Sequence, residues 1–560
     1  MSSGDQQAVL KSSALMATGT VVSRATGLVR DIALVAAIGF GTLADTYSLG
    51  NSLPNIIYIL VAGGALNAVF IPQLVRHMKD DEDGGHGYAN RLLRLVALVT
   101  FGLTVVAVLA APWIVRIYAT GQYSSRELEL AIAFAWLCLP QIVFYGLFTM
   151  FSQVLNARGH FGAPMFAPII NNIVVIFACV TFLWVAGDAT DVTTITNAQV
   201  AWLGAMTTLG VVLQALILIP VLRRSGFRFA YVPGLKGFGL GHTGKLAMWT
   251  IGLVLVNQLG FIVVTRLATL ANVLASEADT VAQGLTTYQK AFLVFMLPHS
   301  VITISIITAL LPRMSRAAAD QNFGKVGAYV ADGMRLVSVL IVPAAVSLLV
   351  AGPFIATVIF SFGAGGTAGT VAGVVVTGFA VGLLPFSLFY VLLRGWYAVE
   401  DTRTPFMLTV LYNVVMVAIS IPLFYAAPVT LKVPALALGY SLAYWITFAV
   451  AWYVLHRRLG HIEVRSTAVV LVKLLVAGLA AIAIGLLVAR GYLQAVIRIT
   501  GRDVDLGIAD GRGWALLGAL ITIAVSVVVY VVVAHLLKVQ QLRDAWSMVA
   551  AKIPGLRRTA

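Results

Sequence analysis

Charge is what this sequence has least of. Only 11% of its 560 residues are Asp, Glu, Lys or Arg, against 60% that are hydrophobic, whereas a soluble globular protein carries about 25% charged residues. That balance excludes an ordinary soluble domain and indicates a polytopic membrane protein. Cysteine is scarcer still. Cys138 and Cys179 both lie inside apolar runs, which points to core packing rather than a disulfide, and no ligand spacing suggests a metal. Catalytic motifs are missing: there is no HExxH, no GxSxG, no P-loop and no pair of carboxylates at useful spacing. The expectation is therefore a non-enzyme without a cofactor, and ATP-driven transport by the chain itself is unsupported. The first residues, MSSGDQQAVLKSSAL, lack a basic region followed by a small-residue cleavage site, so no cleaved signal peptide is expected.

What the sequence has in excess is long apolar runs. A span needs roughly 20 mostly apolar residues. Fourteen such runs are found, at 12–40, 44–71, 90–118, 128–156, 165–187, 198–222, 245–274, 281–311, 328–350, 371–399, 405–427, 433–456, 467–489 and 514–537. Basic residues alternate between successive loops. They crowd the loops holding Arg76, Lys79, Arg91 and Arg94; Arg223, Arg224, Arg228, Lys236 and Lys245; Arg313, Arg316, Lys325 and Arg335; and Arg457, Arg458 and Arg465. The loops at 40–44, 187–197, 275–280 and 361–370 contain no Lys or Arg. By the positive-inside rule both termini are cytoplasmic. The net charge of +15 is thus mostly topogenic, and nucleic acid is not an expected partner.

The chain also repeats itself. Phe70 to Arg76 closes span two as Leu310 to Arg316 closes span eight; Pro112-Trp113-Ile114 ends span three as Pro353-Phe354-Ile355 ends span nine. Leu139-Pro140 with Phe144-Tyr145 returns as Leu384-Pro385 with Phe389-Tyr390, and Pro164 and Pro405 each open the next span, all at offsets of about 240 residues. Six spans separate the copies, an even number, so the repeat is parallel. The predicted fold is all-α: 14 transmembrane helices, two parallel six-helix lobes around a central cavity, and two appended C-terminal helices. The expected boundaries are 1–224, 225–458 and 459–560, the last including a basic cytoplasmic tail. Two like-oriented bundles favour a transporter.

A few charges fall inside the spans, where they usually face a bundle interior or watery cavity. They are Arg24, Arg30 and Asp31 in span one, Asp45 at the outer end of span two, Arg266 in span seven and Lys290 in span eight. Snorkelling accounts for Arg394, near the inner end of span ten. On a regular helix Arg24 and Asp31 share a face roughly 10 Å apart, with Arg30 turned about 120° away unless Gly27 bends the helix. Four cations against two anions suit an anionic substrate, and guanidinium forks bind phosphate or pyrophosphate oxygens bidentately. Pairing of Arg24 with Asp31 and of Arg30 with Asp45 would instead make these charges packing devices, and would leave Arg266 and Lys290 unmatched. Gly27, Pro54, Gly63 and Gly64 are candidate hinges, span two above all.

These motifs resemble the MurJ/MviN family of lipid II flippases, within the multidrug/oligosaccharidyl-lipid/polysaccharide exporter superfamily. Ser23 to Asp31 looks like the family's S-R-x-x-G-x-x-R-D signature. It is followed at family spacing by Phe40-Gly41, Ala44-Asp45 and Leu53-Pro54-Asn55, then by Ala68 to Pro72, Phe166-Ala167-Pro168 with Asn172-Ile173, Leu310-Leu311-Pro312 and Thr404-Pro405. The resemblance covers spans one to twelve. It implies alternating access and a substrate, the undecaprenyl-pyrophosphate-linked peptidoglycan precursor (lipid II), carried from the inner to the outer leaflet of a bacterial cytoplasmic membrane. It also implies roles in peptidoglycan biosynthesis, cell wall biogenesis and cell shape. The implied partners are lipid II and membrane lipids, with cell-wall synthesis and division proteins as further candidates. Arg24, Arg30 and Asp45 match positions important in relatives, the arginines for pyrophosphate and Asp45 for outer gating or for holding an arginine.

The chain also departs from the family. Many relatives read L-P-N-x-x-R-R and A-E-G-A, where this chain has Tyr58-Ile59 and Ala62-Gly63-Gly64-Ala65, and the span-eight arginine falls on Leu293. Arg266 and Lys290 are the expected replacements for that lost charge. In some relatives an aspartate beside an asparagine in span eleven binds sodium; here Asn413 is followed one turn later by Val417, so a membrane-potential drive or proton linkage through Asp31 or Asp45 is expected instead. Competing readings are an exporter of another lipid-linked saccharide or amphipathic drug, and a non-transporting membrane scaffold for cell-wall synthesis. A cationic-drug exporter should carry deep carboxylates. A scaffold should tolerate loss of Arg24 and Arg30.

Overall fold

The computed structural model describes residues 3–60, 77, 81, 83–186, 191–233, 240–460, 462–501 and 511–542. Gly63, Gly64, the Ala68–Pro72 motif and most of the last outer loop lie outside the described residues. Every regular element among those described is helical: α1 Ser3–Ile38, α2 Thr42–Tyr58, α3 His86–Tyr118, α4 Ser125–Cys138, α5 Gln141–Ala157, α6 Gly162–Ala186, α7 Asn197–Leu216, α8 Leu218–Arg224, α9 Leu240–Glu277 and α10 Leu285–Pro298. A π-turn, His299–Thr303, leads into α11 Ile304–Ala319, followed by α12 Phe323–Phe360, α13 Ala368–Ala380, α14 Leu383–Ala398, α15 Arg403–Ala426, α16 Lys432–Leu459, α17 Val464–Thr500 and α18 Arg512–Leu536. Among the described residues eleven helices are long and apolar enough to cross a membrane, or twelve when α13 and α14 count as one bent span. The charge-bearing α1 and the 17-residue α2 are outside that number.

Prolines mark breaks in several of these helices. Pro54 in α2 is followed by π geometry at Ile59 and Leu60, and Pro298, about 240 residues later, by the π-turn at His299–Thr303. Proline lacks an N–H and collides with the carbonyl four residues back, so the ladder must widen or break near it. Span four breaks between Cys138 and Gln141, around Leu139-Pro140, and span ten breaks before Leu383 with a 49° bend.

The described chain forms two compact units. One holds residues up to Val273 together with 284–286 and 362–365; the other holds 274–283, 287–361 and the remainder from Gly366. In the first, α1 packs along α6, α6 on α7, and α2 on α4. Capping boxes start α4 (Ser124 with Glu127) and α7 (Thr196 with Gln199), pairing N–H groups that a helix start leaves open. The core here centres on Tyr47, whose ring meets Phe134 edge-on at 5.4 Å and whose hydroxyl bonds Thr207 at 2.9 Å. Cys138 and Cys179 are buried and form no disulfide.

In the second unit the 38-residue α12 is flanked by α13, α14, α17 and α18. The appended pair is fitted closely through small residues, because apolar burial gives little drive between helices in lipid and close backbone approach must supply it. A side chain at Gly485 would strike Ser526, one at Gly518 would lie 2.9 Å from Phe354, and Tyr530 donates to the Val339 carbonyl at 3.0 Å. At the other end Arg335 of α12 pairs with Asp332 at 3.2 Å, donates to Ser466 at 2.6 Å and forms an ion pair with Glu463. Hydrogen bonds from Arg335 and Ser466, and the Arg335 charge, hold the exposed Glu463 carboxyl below its usual range. A lowered folded-state value means that the contribution is present above the unfolded pKa, about 4.3, and is lost as pH falls through the folded value. Melting curves of wild type and Glu463→Gln should therefore differ at neutral pH and converge only as pH falls through the lowered folded-state value. A constant difference across that range would contradict the pairing.

Candidate functional site

The charged residues of α1 and α2 fall into two arrangements. In α1, which is continuous through Gly27, Arg30 pairs with its neighbour Asp31 (Nη2 to Oδ1, 3.3 Å) and donates Nη1 to Asn172 Oδ1 of α6 at 3.2 Å. Asn172 in turn donates its amide to the Ser23 carbonyl at 3.2 Å and to the Thr26 hydroxyl at 3.0 Å. Asp31 and Asn172 are buried, whereas the Arg30 side chain keeps 33% of its surface exposed. The guanidinium is thus oriented by two fixed acceptors while part of it stays available. Arg24 is exposed on the same helix.

Asp45 is arranged quite differently. Its carboxylate, fully buried, accepts the backbone N–H groups of Leu285 (2.9 Å) and Thr286 (2.7 Å) and the Asn272 amide (2.9 Å). Leu285 and Thr286 form the first turn of α10, so the carboxylate meets orphan donors and the positive end of a helix dipole together. Asn272 spends its other hydrogen on the Phe40 carbonyl at 3.1 Å, and Ser48 bonds Thr286 at 2.9 Å. Gly284 lies directly against this group: an added Cβ would collide with Asp45 Oδ2 and sit 2.7 Å from Asn272 Nδ2.

The alternative pairing of Arg30 with Asp45, which would have made both charges packing devices, is therefore not made. Asp45 is filled by donors from α9 and α10, and Arg30 pairs along α1 with Asp31 instead, since adjacent helical side chains this long can reach each other without a bend at Gly27. Arg266 is exposed on α9, and its Nη1 donates to the carbonyls of Arg116 (3.3 Å) and Ile117 (3.2 Å), the last turn of α3, as cations favour helix C-termini. Beside it Thr269 accepts the Thr120 N–H at 3.0 Å. Lys290 is buried in the second unit. Pro54 lies inside α2.

The sequence reading missed the neutral partners. Gln141 is fully buried, donates to Thr208 at 3.1 Å and accepts from Tyr145 at 2.9 Å. Tyr58 donates to Thr149 at 2.7 Å. Asn172 and Asn272 are the residues that orient Arg30 and Asp45. Asn172 had a signal, because it falls in the Phe166-to-Asn172 motif; Asn272 had none.

Comparison with known proteins decides the family: the profile described as lipid II flippase MurJ matches residues 34–499. The chain belongs to the MurJ family. A probable lipid II flippase MurJ from Rhizobium tropici is 28% identical over 477 residues, covering 82% of this chain and 84% of that protein. Among solved structures, lipid II flippase MurJ in an inward closed conformation superposes with a TM-score of 0.69 at 18% identity, over 93% of this chain and 98% of the other. An inward-facing multidrug resistance MATE transporter of the MOP superfamily gives 0.61 at 15% identity, over 78% and 94%. At such identities the structures speak for the fold alone. The MurJ family is one of transporters rather than enzymes.

Proposed function

We propose that this chain flips lipid II, the undecaprenyl-pyrophosphate-linked peptidoglycan precursor, from the inner to the outer leaflet of a bacterial cytoplasmic membrane by alternating access. The observation that carries the reading is family membership over residues 34–499, joined to an arginine in α1 that is oriented but not consumed by its partners. Arg24 and Arg30 would neutralise the pyrophosphate, Arg30 through the part of its fork that stays exposed. Arg266 and Lys290 would add positive charge, and Asp45 would act as a gate by holding or releasing the first turn of α10. Pro54, with Gly27, Gly63 and Gly64, would provide bending. In this reading the chain has fourteen spans in lobes 1–224 and 225–458, an appended pair in 459–560 and both termini in the cytoplasm. Cell-wall synthesis and division proteins are its candidate partners.

Complementation tests it. The wild-type chain should restore growth to a bacterium depleted of its own lipid II flippase, and Arg266→Gln or Lys290→Gln should not. Growth supported by both variants would remove these two cations from the substrate path, and failure of the wild type would remove the function. Because Arg266 also holds α3 carbonyls, Arg266→Lys separates its roles: restored growth assigns charge, and lost growth assigns the guanidinium geometry.

A further inference from the structure

The second unit contains a titratable group outside the residues proposed above to bind substrate. His299 opens the π-turn near the middle of the span formed by α10 and α11. Among the described residues His86, His242, His456 and His535 fall in the end turns of helices and His160 in a loop. His299 is 1% exposed. Its Nδ1 bonds Ser387 of α14 at 3.0 Å, and Nε2 is buried with no hydrogen-bond partner. Thr303, at the far end of the same π-turn, has a hydroxyl in the same condition. Buried polar atoms are nearly always paired, so a lone ring nitrogen at this depth asks for a ligand.

The surroundings limit what that ligand is. Phe386 and Tyr390 of α14 stand 4.5 and 4.9 Å from the imidazole, ring centre to ring centre. Tyr444 of α16 meets Phe386 edge-on, and Tyr412 of α15 and Tyr440 of α16 close the aromatic cluster. A metal would need several donors, and no group of three or more His, Cys, Asp or Glu exists among the described residues. Aromatic faces favour a cation by about 0.5–2 kcal/mol, and a proton is the cation that a single ring nitrogen can bind without further protein donors.

The charged and titratable groups on the elements packed around the turn are few. On α10 they are Tyr288 and Lys290; on α11, Arg313 and Arg316 toward its far end; on α14, Tyr390, Arg394 and Tyr397. On α12 they are Lys325, Tyr329, Asp332 and Arg335, all within its first four turns. The one carboxylate among them, Asp332, is committed to Arg335. No acidic side chain competes with the imidazole for a proton there.

We propose that His299 is a proton-binding site in the second unit, and that uptake of a proton by its ring couples the proton gradient to transport. This extends the lipid II reading and rests on it for the coupled cargo. Either tautomer of the neutral ring leaves one nitrogen unpaired; protonation adds an N–H that needs an acceptor and so biases the π-turn toward a different hydrogen-bond register.

Two measurements on the full chain test it. With 15N-histidine labelling in lipid nanodiscs and His299→Gln to assign the signal, the His299 resonance should titrate reversibly as pH is lowered from about 8 to about 4. Ser387→Ala should move the midpoint. In vesicles holding lipid II, a one-unit pH gradient should shift the steady-state leaflet ratio about tenfold for one coupled proton. His299→Gln, shown folded by its melting curve, should abolish that shift. A His299 signal that stays flat, or a tenfold shift that survives in His299→Gln, would overturn the proposal. If His299→Gln does not fold, an unmoved midpoint in Ser387→Ala overturns it in its place. Failure of the wild type to move lipid II at all would sink the transport reading, while the titration still decides whether His299 takes up a proton.

Discussion

Asp45→Ala is expected to destabilise the protein by about 3–5 kcal/mol, the range seen when one member of a buried charged group is removed. The substitution strips the acceptor from two backbone N–H groups and a side-chain amide in a site with no solvent. Each such bond to a charged group nets about 1.5–3 kcal/mol, and relief from burying the carboxylate offsets part of the sum. Asp45→Asn should fall between, because its amide can present only one oxygen and turns an N–H toward the donors of α10. Gly284→Ala should approach the alanine variant at Asp45 without touching the carboxylate chemically, since the new methyl group occupies the place of Oδ2. Thermal melting in detergent or nanodiscs reads all three. A Gly284→Ala protein that melts with the wild type would mean that α10 can leave Asp45 freely.

The second large effect is at Arg30. Losing a charge-assisted fork to a pyrophosphate removes about 2–3 kcal/mol of binding, which converts to roughly 30- to 150-fold in the rate of flipping at limiting substrate. Arg30→Lys keeps the charge but not the planar fork, and should recover only part of that loss. Asn172→Ala keeps the arginine and removes the acceptor that orients it at 3.2 Å, so its loss should be smaller than that of Arg30→Ala and larger than that of a substitution on the lipid-facing side of α6, such as Phe177→Ala. Equal rates for Asn172→Ala and wild type would mean that the α1–α6 seam does not position the guanidinium.

Much of the architecture was legible in the residues. Spans were readable because a bilayer imposes length and hydropathy on every crossing segment. The π geometry that follows Pro54 was foreshadowed in the residues because proline acts locally. The charges of α1 and α2 were conspicuous against an apolar background. What escaped were the partners. Whether Arg30 pairs with Asp31 or Asp45 depends on where α9 and α10 deliver their donors, and Asn272 and the first N–H groups of α10 lie more than two hundred residues from Asp45 in the chain. Arg266 looked like a free cation because no sequence pattern reveals that the last carbonyls of α3 end beside it. His299 attracted no notice, since its Ser387 partner and its aromatic walls come from other helices.

The central claim is that this chain carries lipid II across the bilayer and uses Arg30 to do so. Its most direct test is the leaflet accessibility of lipid II in vesicles reconstituted with the purified protein, with Arg30→Ala alongside. The expected result is time-dependent exposure of lipid II to an externally added probe with the wild type, slowed at least about 30-fold in Arg30→Ala. Exposure no faster than in protein-free vesicles, or equal rates for the two proteins, would contradict it.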